Sequence, residues 1–88
     1  MKIKIHPSLT RFADGNSEVE LPDTSVADFF SVLNEHQQQL YRCLIDDEGE
    51  IHAYVNVYVN GKSLETLPDE KKLSPVDEID IVTSLVGG

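Results

Sequence analysis

A long alternating segment that ends in a tight-turn dipeptide dictates much of how this chain folds. Across residues 51–59, three valines fall on one face of an extended chain, and two tyrosines and an asparagine fall on the other. Asn60-Gly61 follows at once, and this pair is the strongest short signal for a two-residue β-hairpin turn. Lys62-Ser63-Leu64 would form the short return strand. The segment therefore predicts the longest strand of a sheet.

Three further segments show the period of two that is typical of a half-buried strand. They are residues 1–6, with Ile3 and Ile5 inward, residues 17–21, with Val19 and Leu21 inward, and residues 78–83, with Ile79 and Ile81 inward. Asp14-Gly15-Asn16 marks a turn in the polar connection between the first two segments, so we expect these two to form a hairpin.

One segment has the period of a helix instead. Its apolar stripe, at positions i, i+3, i+4 and i+7, consists of Val26, Phe29, Phe30 and Leu33. Ser25 is expected to be the N-cap, with Asp28 in the first helical turn. Leu40, Tyr41 and Leu44 resume helical spacing further on, which predicts a second short helical turn. Because it carries two adjacent phenylalanines, the first helix is expected to be the main element that fills the core.

The order of elements predicts the fold class: strand, strand, helix, strand, short strand and final strand. One main amphipathic helix packed on a mixed sheet of four to five strands buries the apolar residues in two layers, which is an α+β fold. A chain of 88 residues makes one small domain, which can bury a modest core without metals or disulfides. We predict a folded domain over residues 1–83 and a flexible C-terminal tail over residues 84–88.

Charge and cysteine content exclude several functional classes. Seven basic residues against sixteen acidic ones give a net charge of −9, which argues against nucleic acid as a partner. The acidity suits a partner with a basic docking surface, or it only confers solubility. The single cysteine excludes an internal disulfide and a four-thiolate zinc site. No apolar run is long enough to span a membrane, and the start of the chain is no signal peptide, so we expect a cytoplasmic protein.

The residues that look reactive have structural explanations. Cys43 is expected to be a small buried or half-buried thiol and not a nucleophile, because nothing close in sequence, apart from Arg42, would lower its pKa. The three histidines are far apart and show no i, i+4 pairing, so no metal site is predicted. Residues 46–50 lack the ligand spacing of a calcium loop and are expected to form a solvated acidic turn. The two tyrosines of the long strand would serve an interface if their face is exposed.

The last two residues, Gly87-Gly88, give the strongest functional signal. Glycine has no Cβ, so Gly87 can enter a narrow channel and leaves a carboxylate on Gly88 unshielded. Six extended residues from Thr83 to Gly88 reach about 20 Å at roughly 3.3 Å each. Such a segment can place a carboxylate deep in the active site of a partner while the folded body stays outside.

The chain resembles the ThiS/MoaD family of ubiquitin-like sulfur carrier proteins over essentially its whole length. Three stretches carry the resemblance: residues 54–61, the Asp77-Glu78-Ile79 entry to the last strand, and Gly87-Gly88. The length and the first stretch are closest to MoaD-like and CysO-like members, and the family fold is the β-grasp. Members often have Asp-Gly-Asp-Glu where this chain has residues 74–78. Many also have a proline where this chain has Thr83-Ser84, so its tail is expected to be more mobile.

The resemblance implies that the chain is a protein co-substrate with no catalytic machinery of its own. A partner similar to MoeB or ThiF would adenylate Gly88 with ATP and magnesium, so the chain itself needs no bound cofactor. A sulfurtransferase or cysteine desulfurase would supply the sulfur that turns Gly88 into a thiocarboxylate. Gly87 would keep the approach narrow, Leu85 and Val86 would contact the channel of the partner, and Val82 would add to the docking patch.

The destination of the sulfur stays open at this stage. The resemblance leaves open a sulfur-accepting synthase for molybdopterin, thiamine, cysteine or a secondary metabolite. The same tail also fits a ubiquitin-like modifier that is joined to lysines of other proteins through Gly88, because both fates pass through an acyl adenylate. A third interpretation is a passive binding domain in which the glycines are incidental.

Overall fold

The computed structural model describes residues 1–84 of the chain. Seven strands are present in this range, together with two α-helices and two 3-10 helices. The strands are β1 (Lys2–Ile5), β2 (Glu18–Glu20), β3 (Thr24–Ser25), β4 (Val55–Val59), β5 (Lys62–Ser63), β6 (Lys72–Leu73) and β7 (Ile79–Thr83). The helices are α1 (Phe29–His36) and α2 (Gln38–Leu44), and the 3-10 helices are Pro7–Ala13 and Leu64–Thr66.

Five of the strands form one mixed sheet, as the sequence predicts. Their order is β2-β1-β7-β4-β5, in which β1 and β7 are parallel and the other neighbours are antiparallel. Ile81 of β7 lies in register with Ile5 of β1 and with Val57 of β4. This register gathers the inward residues of three strands on one face, and β7 lies at the centre of the sheet.

The two helices cover the apolar face of this sheet. Phe29, Leu33, Leu40 and Leu44 have no exposed surface, and they join the inward residues of the strands in one core. Phe30 is only half-buried and meets the Phe29 ring edge-on, with 5.2 Å between the ring centroids. Phe29 is therefore the side chain that fills the centre of the core, and Phe30 lies at the margin of the core.

The helix starts later than the sequence predicts, and the expected Ser25 N-cap is wrong. Ser25 belongs to β3, which pairs with β6 in a separate two-stranded sheet, and α1 begins only after Asp28. The N–H groups of Val26 and Ala27 donate to the carbonyls of Lys71 and Asp69. Because a distant loop accepts these hydrogen bonds, the backbone does not need a helical turn to satisfy its donors there.

Two other segments differ from their predicted form. Strand β4 begins at Val55, because the Val55 N–H donates to the His52 carbonyl and closes a turn over the residues expected to extend the strand. Ile51 instead makes an isolated antiparallel bridge to Ile45. The polar connection after β1 contains a 3-10 helix, which starts with Pro7 and is capped by the ring nitrogen Nδ1 of His6, the acceptor for the Ser8 N–H.

Candidate functional site

Strand β7 precedes the C-terminal segment predicted to be functional, and the last described residue, Ser84, is bound to the sheet. The Ser84 N–H donates to the Tyr54 carbonyl oxygen at 2.8 Å, and the Ser84 hydroxyl lies 3.3 Å from the same oxygen. The chain is therefore held to β4 up to Ser84. The remaining predicted site residues lie outside the described residues, and their roles stay predictions; they are Leu85, Val86, Gly87 and Gly88.

Val82 is the predicted site residue that lies within residues 1–84. It is half-buried on the face of the sheet opposite the helices, since its neighbour Ile81 points into the core. On one side it is in register with Asn56 of β4. On the other side the His6 N–H donates to the Ile81 carbonyl, which brings His6 next to Val82. The row formed by His6, Val82 and Asn56 borders the start of the tail.

A second row of side chains crosses the same face, one step further from the tail. Lys4, Asp80 and Tyr58 are in register across β1, β7 and β4. The Lys4 ammonium lies 4.0 Å from the Glu78 carboxylate, at the limit of an ion pair between two exposed side chains. The two rows combine apolar, aromatic and charged groups, which is the mixture found at protein–protein interfaces. Both rows lie on the outer face of the sheet, which the helices leave uncovered.

A hydrogen-bonded clasp fixes the start of β7 against the β4–β5 turn. The Asn60 side chain donates to Asp77 at 2.9 Å and accepts from the Glu78 N–H at 2.9 Å. The Asn60 N–H also donates to the Glu78 carbonyl at 2.7 Å. The second oxygen of Asp77 accepts from the Ser74 N–H at 2.9 Å. Two stretches that carry the family resemblance therefore bind each other, and the clasp sets the position of the strand that leads to the tail.

The clasp also changes the chemistry of its carboxylate. Hydrogen bonds from the Asn60 amide and then from the Ser74 N–H lower the pKa of Asp77 below its ordinary value. Each bond stabilises the charged form more than the neutral one. Asp77 is thus an ionised structural acceptor at neutral pH.

The other reactive-looking groups have structural surroundings. Cys43 is half-buried on α2, and burial raises the pKa of its thiol, so it is a weak nucleophile at neutral pH. The acidic turn is present: one oxygen of Asp46 accepts the N–H groups of Glu48 and Glu50, both at 2.9 Å. These bonds, with the Glu50 bond the larger cause, lower the pKa of Asp46. Across residues 1–84 no cluster of three or more acidic, histidine or cysteine side chains is arranged to hold a metal ion.

Sequence reasoning missed two features near the tail. The His52 and Tyr54 rings stack with centroids 4.8 Å apart and planes inclined by 13°. His6 stands beside Val82, although the alternating pattern of β1 gave no sign of its neighbour. The first depends on a turn that forms where a strand was expected, and the second on the pairing of β1 with β7, so the alternating pattern shows neither. In the described part of the chain, no helix has the length and apolar character needed to cross a membrane.

Several solved structures share this fold over almost the whole chain. The CysO chain of the BexX/CysO complex from Amycolatopsis orientalis superposes with a TM-score of 0.75 at 22% identity, over 99% of this chain and 98% of that chain. CysO from Mycobacterium tuberculosis gives a TM-score of 0.75 at 20% identity, over 96% and 98%. The small archaeal modifier protein 1 from Methanosarcina acetivorans gives 0.70 at 26% identity, over 99% and 94%. These likenesses confirm the β-grasp fold.

The sequence itself carries the family assignment. No protein with a curated description matches this chain in sequence. The ThiS family pattern, however, matches residues 7–88, which include every strand after β1 and the terminal glycine pair. The chain therefore belongs to the ThiS family of ubiquitin-like sulfur carrier proteins.

Proposed function

We propose that this protein carries sulfur as a thiocarboxylate on Gly88. The observation that supports this proposal most is the family match, which runs through Gly87-Gly88 at the end of the segment that follows β7. The central strand of the sheet leads to this segment, and Ser84 is anchored by the Tyr54 carbonyl. In this proposal the partner binds the folded domain, and the C-terminal segment presents the reacting carboxylate.

The chemistry follows from the weakness of a carboxylate as an electrophile. An activating partner similar to MoeB or ThiF joins the Gly88 carboxylate to the α-phosphorus of ATP, with magnesium, and pyrophosphate leaves. A persulfide from a sulfurtransferase or cysteine desulfurase attacks the acyl carbon, and AMP leaves. A second thiol reduces the acyl disulfide to the thiocarboxylate. The reagents and catalytic groups belong to the partners, so this protein acts as a co-substrate.

The acceptor of the sulfur belongs to the same proposal. A sulfur-accepting synthase would take the thiocarboxylate for molybdopterin, thiamine, cysteine or a secondary metabolite. One structural relative, CysO, forms a complex with BexX. This supports a direct protein–protein contact as part of the cycle of the present protein. The outer sheet face around Val82 is the surface we assign to that contact, in a cytoplasmic setting.

A second candidate function is protein modification. It is favoured by the fold that this chain shares with small archaeal modifier protein 1, which is named as a modifier. In this alternative the Gly88 adenylate is passed to a lysine of another protein, and an amide bond forms with loss of AMP. Adducts of higher mass that contain this chain, and that vanish when Gly88 is deleted, would support it.

Adenylation is the step that both functions require and a passive binding domain does not. It is tested by exchange of labelled pyrophosphate into ATP, with the activating enzyme of the host and with full-length protein or a variant that lacks Gly88. We expect exchange only with the full-length protein. Exchange that is equal for both would contradict the proposal, since the reacting carboxylate would then lie elsewhere.

A further inference from the structure

An aromatic pair lies at Ser84, the last described residue before the C-terminal glycines. The Tyr54 carbonyl holds Ser84 at 2.8 Å, and the Tyr54 ring stacks on the His52 ring with 4.8 Å between centroids. Both side chains are half-buried, so each keeps surface that faces solvent. Because Ser84 is bound to Tyr54, this pair is the described surface next to the start of residues 85–88, and we call it the exit platform.

The exit platform is held firmly by the backbone around it. The His52 N–H donates to the Leu44 carbonyl at the end of α2, at 3.0 Å. The His52 carbonyl accepts from the Val55 N–H at the start of β4, at 3.0 Å. The Ile45–Ile51 bridge closes the loop that leads to it. A preorganised surface of this kind binds without the entropic cost of ordering a loop.

Negative charge lies directly beside the platform. Asp46 interacts electrostatically with His52, and the turn that follows contains the exposed residues Asp47, Glu48 and Glu50. Within residues 1–84 the ion pairs involve only the Met1 amino group and Lys4, so none of them neutralises this turn. The platform therefore combines two partly exposed aromatic rings with a field that attracts a cation.

We propose that the exit platform receives an arginine side chain of the activating partner, at the mouth of the channel that takes the tail. This inference rests on the proposed function and names the chemistry of its partner surface. A guanidinium group is planar, stacks on aromatic faces and binds neighbouring carboxylates at the same time. A lysine ammonium is more strongly hydrated and lacks the planar face. The platform thus positions the tail and adds specificity, and it takes no part in the chemical steps.

The ring contribution is tested by the kinetics of adenylation with purified activating enzyme. Tyr54→Leu keeps an apolar side chain and the backbone carbonyl but removes the ring. We expect KM for this protein to rise about 5-fold, the size of a partly desolvated cation–π contact, while kcat stays within a factor of about two. Tyr54→Phe keeps the ring and should restore a KM close to that of the wild type. His52→Ala removes the second ring and should also raise KM. His36→Ala, at the exposed end of α1, is its control and should leave KM unchanged.

The charge contribution has its own matched pair of variants. Asp47→Asn with Glu48→Gln removes two charges beside the platform, and Asp69→Asn with Glu70→Gln removes two from the loop that contacts the start of α1. The first double variant should raise KM and weaken its dependence on salt clearly more than the second, which removes the same net charge from a different loop. Circular dichroism and thermal unfolding of every variant show that the fold is kept.

The outcomes separate this inference from the proposed function. Wild-type adenylation with an unchanged KM in Tyr54→Leu and His52→Ala would overturn the inference and leave the function in place. A lower kcat with unchanged KM would also overturn it, because the platform would then act on the chemical step. If the active enzyme fails to adenylate the wild type, both proposals fall together.

Discussion

Asp77 shows how one side chain links a recognisable sequence stretch to the geometry of the tail-bearing strand. It accepts hydrogen bonds from Asn60 and Ser74, and these lower its pKa. A carboxylate with a lowered pKa in the folded state adds stability that is present above its unfolded pKa and is lost as the pH falls through its folded pKa. The charged form of Asp77 is therefore stabilising at neutral pH and ceases to be so in acid.

We predict that Asp77→Ala lowers the free energy of unfolding by about 1 kcal/mol at pH 7, the low end for bonds to a charged acceptor, since solvent screens this partly exposed group. The difference from the wild type should hold between about pH 5 and 8 and shrink below about pH 4. Urea unfolding at each pH measures it, with Asp69→Ala as the control. A difference that grows in acid would contradict the role given to Asp77.

Substitutions of Gly61 test how a single residue shapes the turn between β4 and β5. Its φ is +83°, and no atom outside its immediate neighbours lies within 4 Å of where a Cβ would be. The cost of a side chain there is thus backbone strain alone. We predict that Gly61→Ala costs about 1 kcal/mol and that Gly61→Asn costs less, because asparagine tolerates the left-handed region. Equal costs in urea unfolding would show that contacts, and not strain, decide this position.

At the level of elements, α1 stabilises the fold through one ring far more than through its neighbour. Phe29 is completely buried against the sheet, whereas Phe30 is half-buried at the margin of the core. We predict that Phe29→Ala costs about 3–5 kcal/mol, a large share of the stability of a small domain. Phe30→Ala, adjacent in sequence and identical in chemistry, should cost less than half as much. Thermal and urea unfolding of the two variants compare them directly, and equal losses would contradict this packing.

The elements that the sequence predicts well are those whose own pattern fixes them. The four alternating segments form β1, β2, β4 and β7, and the Asn60-Gly61 turn joins β4 to the predicted short return strand, β5. The predictions are wrong where hydrogen bonds to a distant segment determine the local structure. The loop carbonyls of Asp69 and Lys71 delay the start of α1, and the two-residue strands β3 and β6 exist only as partners of each other.

The candidate site likewise has one part that follows from a single segment of sequence and one part that does not. The chemistry at Gly88 stays a prediction, drawn from the glycine pair and the strand before it, which lie in one continuous stretch; Val82, within the described residues, lies on the outer face of β7. The exit platform was not predictable, because a strand was expected over residues that form the turn holding His52. Only the turn brings the His52 ring flat against Tyr54.

At the scale of the whole molecule, the net charge of −9 should steer association. The ion pairs within residues 1–84 engage only three carboxylates, those of Glu20, Asp23 and Glu78. We predict that raising the salt concentration from about 50 to 500 mM raises KM for adenylation severalfold and leaves kcat unchanged, because screening acts on encounter. Stopped-flow binding should show the loss in the association rate. A KM independent of salt would mean that the acidity only confers solubility.

The intact mass of the protein tests the central claim most directly. The wild type and a variant without Gly88 are each incubated with ATP, a persulfide donor with a reducing thiol, and the activating enzyme of the host, and are then weighed by mass spectrometry. We predict that the wild type gains the mass difference between one sulfur and one oxygen atom and that the variant gains nothing. No gain in the wild type, with an enzyme shown to be active, would contradict a carrier of thiocarboxylate sulfur.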